Sequence, residues 1–347
     1  MKGLGFIMFG TQRKGISLLL ALMLVMGLVT GCQIPIEEAE EENPGLPLNE
    51  YVIPAKDPGI QLYLREKNVD NKKQYKGEKV VLFLEPFDIP TVEAFDIKGW
   101  SWMEHLAGQG FDTWAMDFRG FGKSSRPESK VRAADAVKDV EAVVAFIKKT
   151  KKVDKVSVIG WGWGAVVGAQ YAGDHPENVH KLLLYGPMYS SHLPDMIKDM
   201  ESSPGVMKEY PNYELKTYDT TRQHWAMMMK GRDLIQPGIV ADVGRAFFMA
   251  DSTSYQRNPK VIRQNMGPMI DLYNIWNNKP VFDAGKIKAS TLVVRGDADS
   301  FADPDLINAL TGAKNKKEVV IKNSTHWLLY EKHRDELLTI ILEFLMK

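Results

Sequence analysis

The stretch V158-I-G-W-G-W-G-A165 constrains this chain more than any other. A run rich in β-formers, K155-V-S-V-I-G160, leads into it, and helical spacing opens near Trp163. A strand that becomes a helix through closely spaced glycines brings its backbone unusually near to something. Two chemistries use such a turn. One lays a pyrophosphate on the helix N-terminus; the other lifts a nucleophile above a sheet.

The flanking segments set the context. Short apolar runs recur at Lys79–Leu84, Phe111–Asp117, Lys155–Gly160, Lys181–Pro187, Thr291–Gly296 and Glu318–Lys322. Runs of that length predict strands, and those rich in Val, Ile and Leu, all but Phe111–Asp117, predict strands buried on both faces. Y51-V-I-P-A and I60-Q-L-Y-L-R-E-K predict an opening strand pair. Helical spacing over 99–109, 134–151, 303–312 and 333–346 alternates with the later strands, which predicts a mostly parallel sheet with helices on both faces. The rhythm breaks between 188 and 284. That segment shows no buried strand pattern yet holds ten of the seventeen methionines, which predicts a helical lid with a deformable apolar wall. The core is then 51–187 with 285–347. Met188 and Met228, with Trp161 and Trp327, are candidate ligand contacts.

Gly160-x-Gly162-x-x-Ala165 fits the dinucleotide pattern G-x-G-x-x-A. Two features oppose that reading. The fingerprint belongs to the first strand of its sheet, whereas this turn follows several strands. A ribose-binding acid should end the next strand, but Leu184-Tyr185-Gly186-Pro187 holds no carboxylate.

The surroundings fit the other chemistry. The segment F-R-G-F-G-K-S-S-R-P, from Phe118 to Pro127, follows a strand ending in Asp117. G296-D-A-D299 follows a buried strand, and N323-S-T-H326-W follows the last one. A94-F-D-I-K-G-W-S-W-M-E-H-L-A107 adds a further match. Together, over about residues 79–347, these resemble the α/β-hydrolase fold, and within it hydrolases with a G-W-S-W-G nucleophile elbow. The order elbow, acid, histidine is the order of that fold. The resemblance implies that Gly162 stands at the nucleophile position and that His326 and Asp299 are the base and its orienting acid. Asp297 and Asp303 are alternative acids. It also implies oxyanion donors at the backbone N–H groups of Phe87 and Trp163.

Gly162 has no hydroxyl, so attack by an elbow serine is lost. The family usually carries His-Gly after the strand at 79–84; here stands Glu85-Pro86-Phe87. Glu85 is read either as a carboxylate that opposes a developing oxyanion or as a solvated loop acid. Four functions follow as expectations. The first is a protein that has lost serine hydrolysis and binds a small apolar or ester-like molecule under its lid. The second is an enzyme using His326 and Asp299 without a serine, with Glu85 as a further acid–base group. The third is an ester hydrolase whose elbow serine was replaced by Gly162 in this copy. The fourth is a scaffold with no pocket.

The N-terminus points outside the cytoplasm. Arg13 and Lys14 precede an apolar run from Ile16 to Val29, then L-V-T-G-C32. The run is short for a membrane span and reads as a secretory signal over 1–31, the alternative being an uncleaved N-terminal anchor. L-V-T-G-C resembles the bacterial lipobox, which implies lipidation of Cys32 and a membrane-anchored lipoprotein of the cell envelope. Residues 32–50 are acidic and contain proline, which predicts a solvated tether. Cys32 is the only cysteine, so neither an intrachain disulfide nor a cysteine-rich metal site is possible. Without 1–31, which hold Lys2, Arg13, Lys14 and no acid, 41 basic residues remain against 44 acidic ones. That near balance argues against nucleic acid as a partner, because phosphate binding needs a concentrated basic face. No cofactor and no metal are expected.

Overall fold

The computed structural model describes residues 46–347 apart from 72, 88, 90 and 91. The signal at 1–31, Cys32 and most of the tether lie outside the described residues. The first half of the core runs β1 (Leu48–Pro54), β2 (Gln61–Lys67), β3 (Val80–Leu84), α1 (Trp102–Gly108), β4 (Asp112–Met116), α2 (Ala133–Lys151), β5 (Val156–Trp161), α3 (Trp163–Asp174) and β6 (Val179–Tyr185). β1 takes in the last three residues of the expected tether.

The insertion follows: α4 (Pro194–Met200), β7 (Glu201–Ser203), β8 (Val206–Met207), β9 (Tyr213–Lys216), α5 (Tyr218–Met229), α6 (Ile239–Met249), β10 (Ile262–Asn265) and α7 (Gly267–Trp276). The chain then returns through β11 (Ser290–Gly296), α8 (Leu306–Ala309), β12 (Lys316–Ile321) and α9 (Arg334–Met346).

Eight strands form one sheet in the order β1-β2-β4-β3-β5-β6-β11-β12. β1, β2 and β4 pair antiparallel, and every pair from β4 to β12 is parallel. Every residue of β3, β4 and β5 is buried, as expected of strands covered on both faces. Each fully buried Val, Leu or Phe there contributes about 1.5–3 kcal/mol relative to exposure.

Two expectations need correction. The insertion is not purely helical: β7 pairs with β8 and β9 with β10 in two small antiparallel ribbons apart from the main sheet. These strands are short and mixed in polarity, so no apolar alternation announces them. The helix expected over 303–312 shrinks to α8. The Asp303 side chain accepts from the Asp305 N–H at 2.8 Å, holding a turn where the helix was expected to start.

The F-R-G-F-G-K-S-S segment earns its residues structurally. The buried Asp117 carboxylate accepts from the N–H groups of Val92 and Lys123, both at 2.8 Å. Arg119 grips Asp139 on α2 through Nε and Nη2, and Ser124 Oγ bridges the Asp117 carbonyl and the Tyr63 N–H. Ser101 of the G-W-S-W-M match is the N-cap of α1, its Oγ accepting from the Glu104 N–H at 3.0 Å. Such a cap contributes about 1 kcal/mol.

Candidate active site

One residue separates β5 from α3, and it is Gly162, at φ 57° and ψ −119°. Its N–H donates to the Tyr185 carbonyl at 2.9 Å, while its own carbonyl accepts from Ala165 N–H at 3.1 Å. A residue with a side chain held there would carry about 1–3 kcal/mol of strain; glycine does not. Gly164 answers a second demand. A Cβ at that position would run into the carbonyl oxygens of Leu84 and Glu85, so glycine lets α3 pass close to the end of β3.

The loop after β12 delivers His326 to this turn. Its Nδ1 lies 2.9 Å from Asp299 Oδ2, and both residues are buried. Asp299 Oδ1 accepts from the N–H groups of Phe301 at 3.0 Å and Ala302 at 3.1 Å, which fixes the carboxylate. The His326 carbonyl accepts from Trp161 Nε1–H at 3.0 Å and Tyr185 O–H at 2.8 Å. Trp161 and Tyr185 stack with ring centroids 5.2 Å apart. An ideal Cβ built on Gly162 would stand 2.9 Å from His326 Nε2 and 3.7 Å from Pro86 Cβ. The three positions named from the sequence therefore meet, with the imidazole edge pressed against the place of the absent side chain. Asp297 and Asp303 bond backbone amides instead, those of Ser324 and Ser190.

Above Gly162 lies a partly open cavity of about 70 Å³. His326, Trp163, Pro86 and Phe87 form its floor; Met188, Met196, Met269, Leu272, Trp276, Phe301 and His224 close it. No Lys, Arg, Asp or Glu stands among these lining residues. Trp163 N–H is the first amide of α3, one of the helix-terminal donors without an intrahelical acceptor. The Phe87 carbonyl accepts from Gln264 Nε2–H of β10 at 2.6 Å, which ties this loop to the insertion. Met196 also borders an open cleft of about 620 Å³ whose other walls include Met227, Met228, Lys230, Arg232 and Asp297.

Several expected contacts fall elsewhere. Trp161 and Trp327 are fully buried and do not line the cavity; Trp161 braces His326 and Trp327 stacks on Trp225 of α5. Met228 lines the outer cleft, whereas Met188 does line the cavity. Glu85 is neither a solvated acid nor a wall of the cavity. It is 1% exposed, its Oε1 accepts from the Phe118 N–H at 2.9 Å, and its Oε2 has no partner among the described residues. Burial, with Asp117 close by, pushes its carboxyl well above the ordinary carboxylate range.

Sequence reasoning missed His224, Phe301, Tyr185 and Glu331. Glu331 is buried and accepts from Trp225 Nε1–H at 2.8 Å, Thr325 Oγ1–H at 2.6 Å and Thr325 N–H at 2.8 Å. It thereby clamps the histidine loop to α5. Only Tyr185 had a usable signal, since it ends the strand beside the elbow strand.

The family model described as the alpha/beta hydrolase fold matches residues 96–333. The chain belongs to this family. This α/β hydrolase is 25% identical over 248 residues to the AB hydrolase superfamily protein YisY of Bacillus subtilis, covering 70% of this chain and 84% of that protein. It is 24% identical over 260 residues to the 2-hydroxy-6-oxononadienedioate/2-hydroxy-6-oxononatrienedioate hydrolase of Comamonas testosteroni, covering 70% and 86%. Among solved structures it superposes on an esterase from Exiguobacterium antarcticum with a TM-score of 0.58 at 16% identity, covering 85% of this chain and 99% of that one. At that identity the likeness is one of fold.

Proposed function

We propose that this α/β hydrolase has lost serine hydrolysis and binds a small, uncharged, apolar or ester-like molecule beneath its insertion, at a membrane to which Cys32 anchors it. The observation that carries the reading is Gly162 facing an intact His326–Asp299 pair. The pair supplies a base, but no hydroxyl stands at the elbow for it to activate. The imidazole also lies 2.9 Å from the Cβ a serine would bring, tighter than side chains tolerate, so the site fits glycine.

The wall of the cavity supports the ligand class. Burying a carboxylate without a partner is costly, and no Lys or Arg lines the cavity. A dioate, as in the name of the Comamonas relative, is therefore a poor fit. The volume of about 70 Å³ has room for roughly five water-sized groups, taking ~10–15 Å³ for each. That is well below the usual ~300–1,000 Å³ of a ligand site. The presence of a cavity above Gly162 speaks against a packed scaffold.

Hydrolysis of p-nitrophenyl acetate and butyrate by the full chain tests the proposal. Turnover is expected near the background rate; the rate of an ordinary serine esterase would end the proposal.

The 2.9 Å His326–Asp299 contact favours a second reading. In it, His326 Nε2 takes a proton from water or from a carbon acid held in the cavity, and no serine takes part. Glu85 has no role there, because it does not reach the cavity. Any activity found should then vanish in H326A; activity surviving that change removes this reading.

A further inference from the structure

The cavity above Gly162 carries an imidazole for which the His326–Asp299 pair has no use. His224, on α5, is half-buried, and its ring forms part of the wall. It lies beside Trp225 and one helical turn from Thr221 and Met228, the buried residues of that helix. An apolar side chain would pack there without polar atoms to satisfy. Among the described residues, no hydrogen bond or ion pair occupies the His224 nitrogens. The ring packs edge-on against Phe301 at 6.2 Å, and Phe301 packs edge-on against His326 at 5.4 Å. One phenyl ring thus stands between two imidazoles at the wall of a cavity whose remaining lining is apolar apart from the Trp276 indole N–H, which has no partner among the described residues.

We infer that His224 reads the ligand: it makes the hydrogen bond that selects a small uncharged molecule bearing a carbonyl or hydroxyl oxygen. This rests on the reading that the cavity binds a ligand. An imidazole can donate to a carbonyl and can also accept from a hydroxyl. The same wall holds no Lys or Arg to give a carboxylate ligand a permanent counter-charge, so at a pH where the imidazoles are neutral selection runs against acids of equal size. His224 is a specificity-determining residue of the insertion, and His326 remains the group facing the elbow.

The test titrates the full chain with 2-butanone, butyrate and xenon. Binding is followed by tryptophan fluorescence, since Trp163 and Trp276 line the cavity, and by imidazole nitrogen chemical shifts. 2-Butanone should bind, move the His224 nitrogen signals and outcompete butyrate at least tenfold. H224F should weaken 2-butanone roughly tenfold, the loss of one buried hydrogen bond, while xenon binds as before. H224Q, which still hydrogen-bonds, should recover most of the affinity; recovery also guards against misfolding of H224F. An unmoved His224 signal, equal binding of butyrate, or unchanged ketone affinity in H224F overturns the inference. 2-Butanone cannot be hydrolysed, so these outcomes are independent of esterase turnover. Fast ester hydrolysis beside the expected titration would defeat the proposed loss of activity alone.

Discussion

Gly162 and His326 are coupled at the residue scale through a distance no serine could keep. Nδ1 is held by Asp299 and the His326 carbonyl by Trp161 and Tyr185, so the ring has little freedom to retreat. G162S should therefore lower stability by about 1–3 kcal/mol, from backbone strain and crowding, read as a lower denaturant midpoint. Its esterase activity should stay far below that of a serine esterase. Glu85 gives a pH-dependent counterpart. Its carboxyl is raised by burial, so folding favours the protonated acid. That contribution is fully present below its unfolded value near 4.5 and is lost as pH rises through the folded value. E85Q, neutral at every pH, should be more stable than the parent at pH 8, and the advantage should shrink toward pH 4. Melting curves across that range check it.

At the scale of elements, the insertion is fastened to the site rather than laid over it. Glu331 joins Trp225 of α5 to Thr325, next to His326, and Gln264 of β10 holds the Phe87 carbonyl. Asp271 of α7 accepts from Trp163 Nε1–H at 3.2 Å and from the Ala133 N–H at 2.8 Å. E331A strands three donors in a buried place and should cost on the order of 3 kcal/mol. If the clamp works as described, hydrogen exchange over α5 should accelerate more than over α2, which Glu331 does not touch. Equal acceleration in both helices would mean that Glu331 supports the fold at large.

On the scale of the whole molecule, what was legible follows from periodicity and order. The β3 and β5 runs are short, apolar and rich in β-branched residues, and both are strands; elbow, acid and histidine come in the chain order of the α/β-hydrolase sheet. What was illegible depends on contacts between distant segments. The sequence T-R-Q-H-W-A-M-M-M does not tell which side of α5 meets Phe301, and Trp161 reads equally well as a ligand contact or a brace. Glu85 misled because a carboxyl next to proline looks like a surface loop, whereas the close passage of α3 and the Phe118 loop buries it. The proposed anchor belongs at this scale too. In a bacterial host fed a labelled fatty acid, the full chain should acquire label and sediment with membranes, and C32S should do neither.

With Gly162 at the elbow no nucleophile stands there, and covalent labelling tests this without knowledge of the ligand. The full chain is incubated with a fluorophosphonate and its intact mass recorded, followed by peptide mapping. No adduct is expected on any residue of the site. A stoichiometric adduct on a serine whose formation depends on His326 would contradict it.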